Sequence, residues 1–471
     1  MEFAEYCMDS AVSSCGGRTK WSKVKINREQ AGPAPIVTEA CLTVVARSDA
    51  APTGAGALQD ISVFTRRIDD HLGSHSGPCA VLVIEISRMA ELYKLMGQQA
   101  LDTSMATMAE RVLSLCGGSD VVCRIARTQF ALFLPDLSHA SKALFTASAL
   151  AARVAEPILV EGRLLYMVAK IGVAVSPDDG ASGQTLLRNA AIAQGEVAKS
   201  GSVHYLHYTE QMRDRLRHQL ITETELRQAI LDEAFILHYQ PKVSIADGTP
   251  IGGEALIRWR HPTRGLLYPM EFIPIAEETG LMVPIGEWAL RAACRQIQTW
   301  IEAGRQPLQI AVNVSERQFR WGHLPALIDV LLRETGIPPH LLQLEITESV
   351  LPEDLEGALR QMAWIADCGV ALALDDFGTG YSSLSYLREL PLDCLKVDRK
   401  FVQDMEQDSS TRHIVQAIVA MAKAMGLKVV AEGVETESER NLLRGMGVEE
   451  GQGYLFARPL PVKEFEAFCG L

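Results

Sequence analysis

At 471 residues the chain is too long for one ordinary hydrophobic core, and with 48% apolar residues, 36 Gly and 21 Pro it reads as two globular domains rather than a fibrous or low-complexity protein. No apolar run approaches the ~20 residues that span a bilayer, and the opening Met-Glu-Phe-Ala-Glu has no basic and then apolar leader, so a cytoplasmic protein without a membrane span is expected. A formal net charge of -13 disfavours a nucleic-acid polymer as partner, because that affinity comes largely from Lys and Arg on phosphates, and an anionic substrate would need a bound metal.

Residues 1–60 mix Ser, Gly, Ala and Pro without a sustained period and are expected to be poorly ordered. From Ile61 the pattern becomes globular. Ala80 to Ile86 reads as a short buried strand, Met89 to Leu115 as a helix, Val121 to Leu134 as a hairpin, Leu164 to Val175 as a further strand and Leu186 to Lys199 as a second helix. Residues 61–208 thus form one α+β domain. Met212, Leu216 and Leu220 then recur at i, i+4, i+8 among charged residues, which gives a linking helix over 209–232 that acts as a spacer or as a transmitter of signals. The ten cysteines stand singly, mostly in apolar stretches (Cys79, Cys123, Cys294, Cys368), and read as buried free thiols.

After Ala234, strand-like runs alternate with helical ones to the end, the rhythm of a (β/α)8 barrel in an α/β fold. In such a barrel alternate side chains of a strand face the lumen, so polar residues repeated on that face near strand ends need an explanation. Glu254 and Arg258 share one face of Ile251 to Trp259, Asn313 stands between Val312 and Val314, and Glu345 alternates with Leu344 and Ile346. Asp375 and Asp376 end the run from Ala371, Lys396 alternates with Leu395 and Val397, and Glu432 precedes Gly433. Carboxylates and an amide gathered at one mouth would repel one another unless neutralised, and hard divalent cations with oxygen ligands are the natural neutraliser. A pair of Mg2+ or Mn2+ ions about 3.5 to 4 Å apart would activate water for displacement at phosphorus.

At these residues the sequence resembles the EAL family of cyclic di-GMP phosphodiesterases, over about Thr224 to the C-terminus (domain 224–471). The ordered motifs are Tyr-Gln-Pro-Lys at 239–242, Glu-Ala-Leu-Ile-Arg-Trp at 254–259, Val-Asn-Val-Ser at 312–315 and Glu-Ile-Thr-Glu at 345–348. They continue with Asp-Asp-Phe-Gly-Thr-Gly-Tyr-Ser-Ser-Leu at 375–384, Leu-Lys-Val-Asp at 395–398, Ala-Glu-Gly-Val-Glu at 431–435 and Gly-Gln-Gly-Tyr at 451–454. The resemblance implies a TIM-like barrel that hydrolyses cyclic di-GMP to linear pGpG and forms a homodimer through that barrel. It implies Glu254, Asn313, Glu345 and Asp375 as ligands of a first ion, and a second ion shared by Asp375 and held by Asp376 and Glu432. By the same likeness Lys396 contacts the nucleophilic water, as general base in some accounts, and Gln240, Arg258 and Gln452 meet substrate. Glu348 anchors the loop from Phe377 to Leu384.

Residues 61–208 resemble the GGDEF, or nucleotidyl-cyclase-like, domain of diguanylate cyclases, with departures. Its signature hairpin reads Ala126, Arg127, Thr128, Gln129, Phe130, which lacks the glycines that let backbone approach a nucleotide. Glu85 stands for the first metal-binding aspartate, and the Arg-x-x-Asp product site is reduced to Gly117 with Asp120. No cyclase activity is expected, and a regulatory or dimerising role is. Two alternatives to hydrolysis are weighed: a cyclic di-GMP receptor or interaction scaffold that does not cleave, and a phosphodiesterase for another nucleotide.

Overall fold

The computed structural model describes residues 61–201, 203–320, 323–348, 355–378 and 387–471. The segment 1–60 and all of the Phe377–Leu384 loop beyond Gly378 lie outside them. The chain divides into two compact units at Tyr208 and Thr209.

The first unit is a five-stranded sheet in the order β2-β3-β1-β6-β7, from β1 (Cys79–Ile86), β2 (Val121–Ala126), β3 (Gln129–Leu134), β6 (Ala169–Ser176) and β7 (Tyr205–His207). β1 pairs antiparallel with both β3 and β6, and every residue in it except Glu85 is buried. A strand covered on both faces has no polar side to alternate with, which is why it reads as an apolar run. A helix over Gly183–Lys199 lies against β6 so closely that a Cβ at Gly172 would meet the Ala190 carbonyl at 2.0 Å.

Two expectations for this unit need correction. The helix Met89–Leu113 is broken at Gly97, whose φ of 79 and ψ of -172 lie outside helical space. The run Leu164 to Val175 is two strands: β5 (Arg163–Leu165) turns back on β4 (Ile158–Val160) through Glu161 and Gly162, both at positive φ, before β6 begins at Ala169. Cys79, Cys123 and Cys294 are buried free thiols, whereas Cys368, in the turn after a helix, is only partly buried.

The second unit opens with a helix over Glu210–Leu231 and continues into a closed barrel. Its staves are β8 (Phe235–Ser244), β9 (Pro250–His261), β11 (Gln309–Val314), β12 (Leu342–Thr347), β13 (Ala371–Phe377), β14 (Cys394–Val397), β15 (Lys428–Ala431) and β16 (Glu450–Gly451), with β10 (Gly265–Leu267) as a short addition to β9. From β9 to β16 neighbouring staves are parallel. β8 departs from an all-parallel barrel, being antiparallel to both β9 and β16. A five-residue link with Gly248 at φ 79 joins β8 to β9, too short for a crossover helix, so a hairpin is the only available connection.

Outside the staves, helices bury one stripe each; Met282–Glu302 buries Ile285, Ala289, Ala293, Ile297 and Trp300 at helical spacing. Inside, Ala373, Cys394 and Val430 form a small apolar layer, and two residues further along the chain from each stand Asp375, Lys396 and, just past its strand, Glu432. No described helix is long and apolar enough to cross a membrane.

After β16 the chain is stitched to its neighbour: the Gln452 amide donates to the Ala431 carbonyl at 2.9 Å and Val434 donates to the Gln452 carbonyl at 3.1 Å. A Cβ on Gly453 would lie 2.1 Å from the Val434 oxygen. Gly453→Ala should therefore destabilise the protein by about 1–3 kcal/mol in urea unfolding, as overpacking does; wild-type stability would show that this approach is not constrained.

Candidate functional site

The lumen face of each stave contributes to one cluster. Lys396, fully buried on β14, sits at its centre with Nζ 2.6 Å from Glu345 Oε2, 2.6 Å from Glu432 Oε1, 3.1 Å from Asp375 Oδ2 and 3.8 Å from Glu254 Oε2. Glu432 lies just past β15, where its amide donates to the Val397 carbonyl at 3.1 Å. The loop behind it is held by a capping box in which Glu439 accepts from the Thr436 amide at 3.0 Å and donates its own amide to Thr436 Oγ1 at 3.1 Å.

Asp375 and Asp376 present a geometric problem. Adjacent residues of an extended strand point to opposite faces, yet ligand atoms of Asp375, Asp376 and Glu432 all lie within 4.8 Å of one another. The register of β13 against β14 shifts between Leu374 and Phe377, and Asp376 takes a φ of 54. This irregularity turns the second aspartate back to the mouth.

The amides line the same opening. Asn313, exposed at the end of β11, donates from Nδ2 to Glu254 Oε1 at 2.5 Å. Gln452 Nε2 donates to Glu254 Oε2 at 2.6 Å and to Gln240 Oε1 at 3.0 Å, while Gln240 Nε2 donates to the Ala457 carbonyl at 3.1 Å. Arg258 is 4% exposed, with its guanidinium 5.1 Å over the Tyr268 ring and Nη1 donating to its neighbour's carbonyl at Ile257; its Nε has no partner among the described residues. A buried guanidinium with an unused donor is suited to a ligand anion. Glu348 stands apart from the cluster, where Oε1 accepts from the Gly378 amide at 2.9 Å at the start of the loop.

Two residues without an assigned role join this set. Lys242, on β8, donates to Glu345 Oε1 at 2.7 Å and to Gln343 Oε1 at 3.0 Å. It lies two residues after Gln240 on the same face, the signal by which the sequence could have placed it. Asp398 caps the helix Arg399–Asp404 and shares a hydrogen bond with Asp376.

Five carboxylates (Glu254, Glu345, Asp375, Asp376, Glu432) face two ammonium groups, an excess of three negative charges when all are ionised. The imbalance is unevenly shared. Burial pushes the Glu345 carboxyl up, but Lys242 and Lys396 outweigh it and hold it at about 2. For Glu432, burial outweighs Lys396 and with the neighbouring carboxylates pushes it up to about 8; burial and then Asp375 push Asp376 up to about 6. Burial lowers the Lys396 ammonium, but Asp375, Glu254, Glu345 and Glu432 together hold it well above the usual lysine value. A set of clustered carboxylates with an amide beside them, short of positive charge, fits hard divalent cations.

A family model described as EAL domain matches residues 223–459, and one described as diguanylate cyclase, GGDEF domain, matches residues 61–203. The cyclic di-GMP phosphodiesterase NbdA of Pseudomonas aeruginosa is 37% identical over 98% of this chain and 59% of its own length. The bifunctional diguanylate cyclase/cyclic di-GMP phosphodiesterase MucR of the same organism is 38% identical over 82% of this chain and 56% of its own. The chain thus spans little more than half the length of these curated relatives. Among solved structures, the PaMucR phosphodiesterase in complex with c-di-GMP is similar at 44% identity and a TM-score of 0.50, covering 52% of this chain and 99% of that one.

A carboxyl raised in the fold favours the protonated folded state, so the stability Glu432 contributes is lost as pH climbs from 4.5 through about 8. Glu345, held at about 2, acts only below that window. Chelator-treated protein should therefore resist urea less at pH 8 than at pH 5.5, and Glu432→Gln should remove much of the difference. An unchanged slope in that variant would contradict the charge assignment.

Proposed function

The chain belongs to the EAL domain family, carrying a GGDEF domain ahead of it, and on that premise we propose that it hydrolyses cyclic di-GMP to linear pGpG with Mg2+ or Mn2+. The observation that carries this reading is the convergence of Glu254, Glu345, Asp375 and Glu432 on Lys396, with Asp376 beside them. Glu254, Asn313, Glu345 and Asp375 would hold one ion, and Asp375, Asp376 and Glu432 a second. Bound there, the ions supply an acidified water and neutralise charge on a phosphate oxygen.

The remaining roles belong to the chain's own groups. Arg258, buried and with Nε unused, holds a phosphate of the substrate, and Gln240 and Gln452 orient it from the facing side. While four carboxylates face it, Lys396 stays protonated and acts as a hydrogen-bond donor that orders them. Taking a proton, the general-base role, requires those carboxylates to be neutralised first. Glu348 acts through the loop, fixing Gly378 two residues after Asp376. Dimerisation through the barrel belongs to the same proposal and rests on the resemblance.

The GGDEF domain, which we place at 61–208, is proposed to lack cyclase activity. Its hairpin carbonyls are occupied by the chain itself, since Arg124 donates to Ala126 O at 3.3 Å and to Arg127 O at 2.5 Å. Glu85 accepts from Gln194 Nε2 at 2.5 Å, which makes it a structural partner. A regulatory or dimerising part remains for it.

Incubation with cyclic di-GMP and Mn2+, followed by chromatography, should yield pGpG, and Glu254→Ala should abolish it. GTP in place of the dinucleotide should yield no cyclic di-GMP. Tight binding of cyclic di-GMP without turnover would overturn the hydrolase reading and leave a receptor; turnover of another cyclic nucleotide alone would overturn the substrate.

A further inference from the structure

Lys242 is 4% exposed in the barrel lumen, and its partners Gln343 and Glu345 are 5% and 1% exposed. Burying an ammonium is expensive unless every donor finds a strong acceptor, so a lysine here needs a reason. An apolar residue would fill the lumen as well, as Ala373, Cys394 and Val430 do in the same interior.

The geometry supplies the reason. Glu345 is gripped by two lysines, one on each oxygen: Lys242 takes Oε1 at 2.7 Å, and Lys396 takes Oε2 at 2.6 Å. Lys396 is shared with Glu432, Asp375 and Glu254, whereas among the described residues Lys242 pairs with Glu345 and otherwise donates to the Gln343 amide oxygen. The two oxygens therefore have different duties. Oε1 is tied to β8, while Oε2 faces the other carboxylates.

We propose that Lys242 is a positioning residue for the proposed metal site: by engaging Glu345 Oε1 it fixes the orientation of that carboxylate and leaves the single oxygen Oε2 for a divalent cation. The inference rests on the metal-dependent reading above and adds a residue to it. β8, joined to β9 by a short link and antiparallel to both of its neighbours, closes the barrel, and Lys242 reaches the lumen from it. A purely space-filling role for Lys242 would affect folding but not the affinity of the folded protein for metal.

Mn2+ binding to the chelator-treated 471-residue chain, measured by calorimetry, separates the two. Lys242→Met, similar in volume, should bind Mn2+ ~10–100-fold more weakly, the usual cost of losing a group that orients a metal ligand. The Mn2+ concentration for half-maximal turnover of cyclic di-GMP should rise with it. Unchanged Mn2+ affinity in a folded Lys242→Met protein would overturn the proposal while leaving the hydrolase reading intact; no Mn2+ binding by wild type would overturn both. If Lys242→Met does not fold, Lys242→Leu takes its place, since it too removes the donor to Glu345 Oε1. Weaker Mn2+ binding by that variant supports the proposal, and wild-type affinity overturns it.

Discussion

One ammonium group held among four carboxylates is the interaction around which the second unit is arranged. Lys396 has no exposure, and its Nζ lies within 4 Å of Glu254, Glu345, Asp375 and Glu432, each from a different stave or stave end. Like charges gathered this way in a protein interior resist folding unless the scaffold that carries them is stable in its own right. The apolar helix-facing sides of the strands, packed on helices such as Met282–Glu302, supply that scaffold. The lumen can then carry a charge excess that the protein does not itself neutralise.

Both units hold buried polar atoms without a partner among the described residues, but they differ in what surrounds those atoms. In the first, Glu85 is paired with Gln194, Arg124 with hairpin carbonyls and Asp179 with His207 at 2.7 Å, while His71 Nε2 and Tyr208 Oη are buried without a partner among the described residues. In the second, Arg258 Nε, Gln452 Oε1 and Glu348 Oε2 have no partner among the described residues, and Glu432 is pushed up to about 8. Unspent hydrogen-bonding capacity and strained protonation mark a place that binds something. In the second unit the unused capacity of Gln452 lies at the same barrel mouth as the carboxylates gathered around Lys396.

Much of this was legible because period-2 alternation is a strong constraint. Glu254, Arg258, Glu345 and Lys396 sit on lumen faces that their apolar neighbours define, and the ordered motifs give the barrel and its family. Asp376 was harder, since alternation alone sends it away from Asp375 and only the irregularity in β13 with its φ of 54 brings it back. The closure of β8 on β16 and the partners of Lys242, Gln343 and Glu345, depend on pairings over a hundred residues apart in sequence, which no local pattern encodes. The break at Gly97 hangs on one positive-φ position and the β4–β5 hairpin on two, Glu161 and Gly162, and periodicity is blind to backbone there.

The account turns on whether divalent cations neutralise the carboxylates around Lys396. Anomalous diffraction at the manganese edge from crystals soaked in Mn2+ tests this directly. The account predicts two peaks, one beside Glu254, Asn313 and Glu345 and one beside Asp376 and Glu432, with Asp375 next to both. Crystals that diffract well after soaking yet show no anomalous density at the mouth, with Lys396 still bridging Glu345 and Glu432, would contradict it.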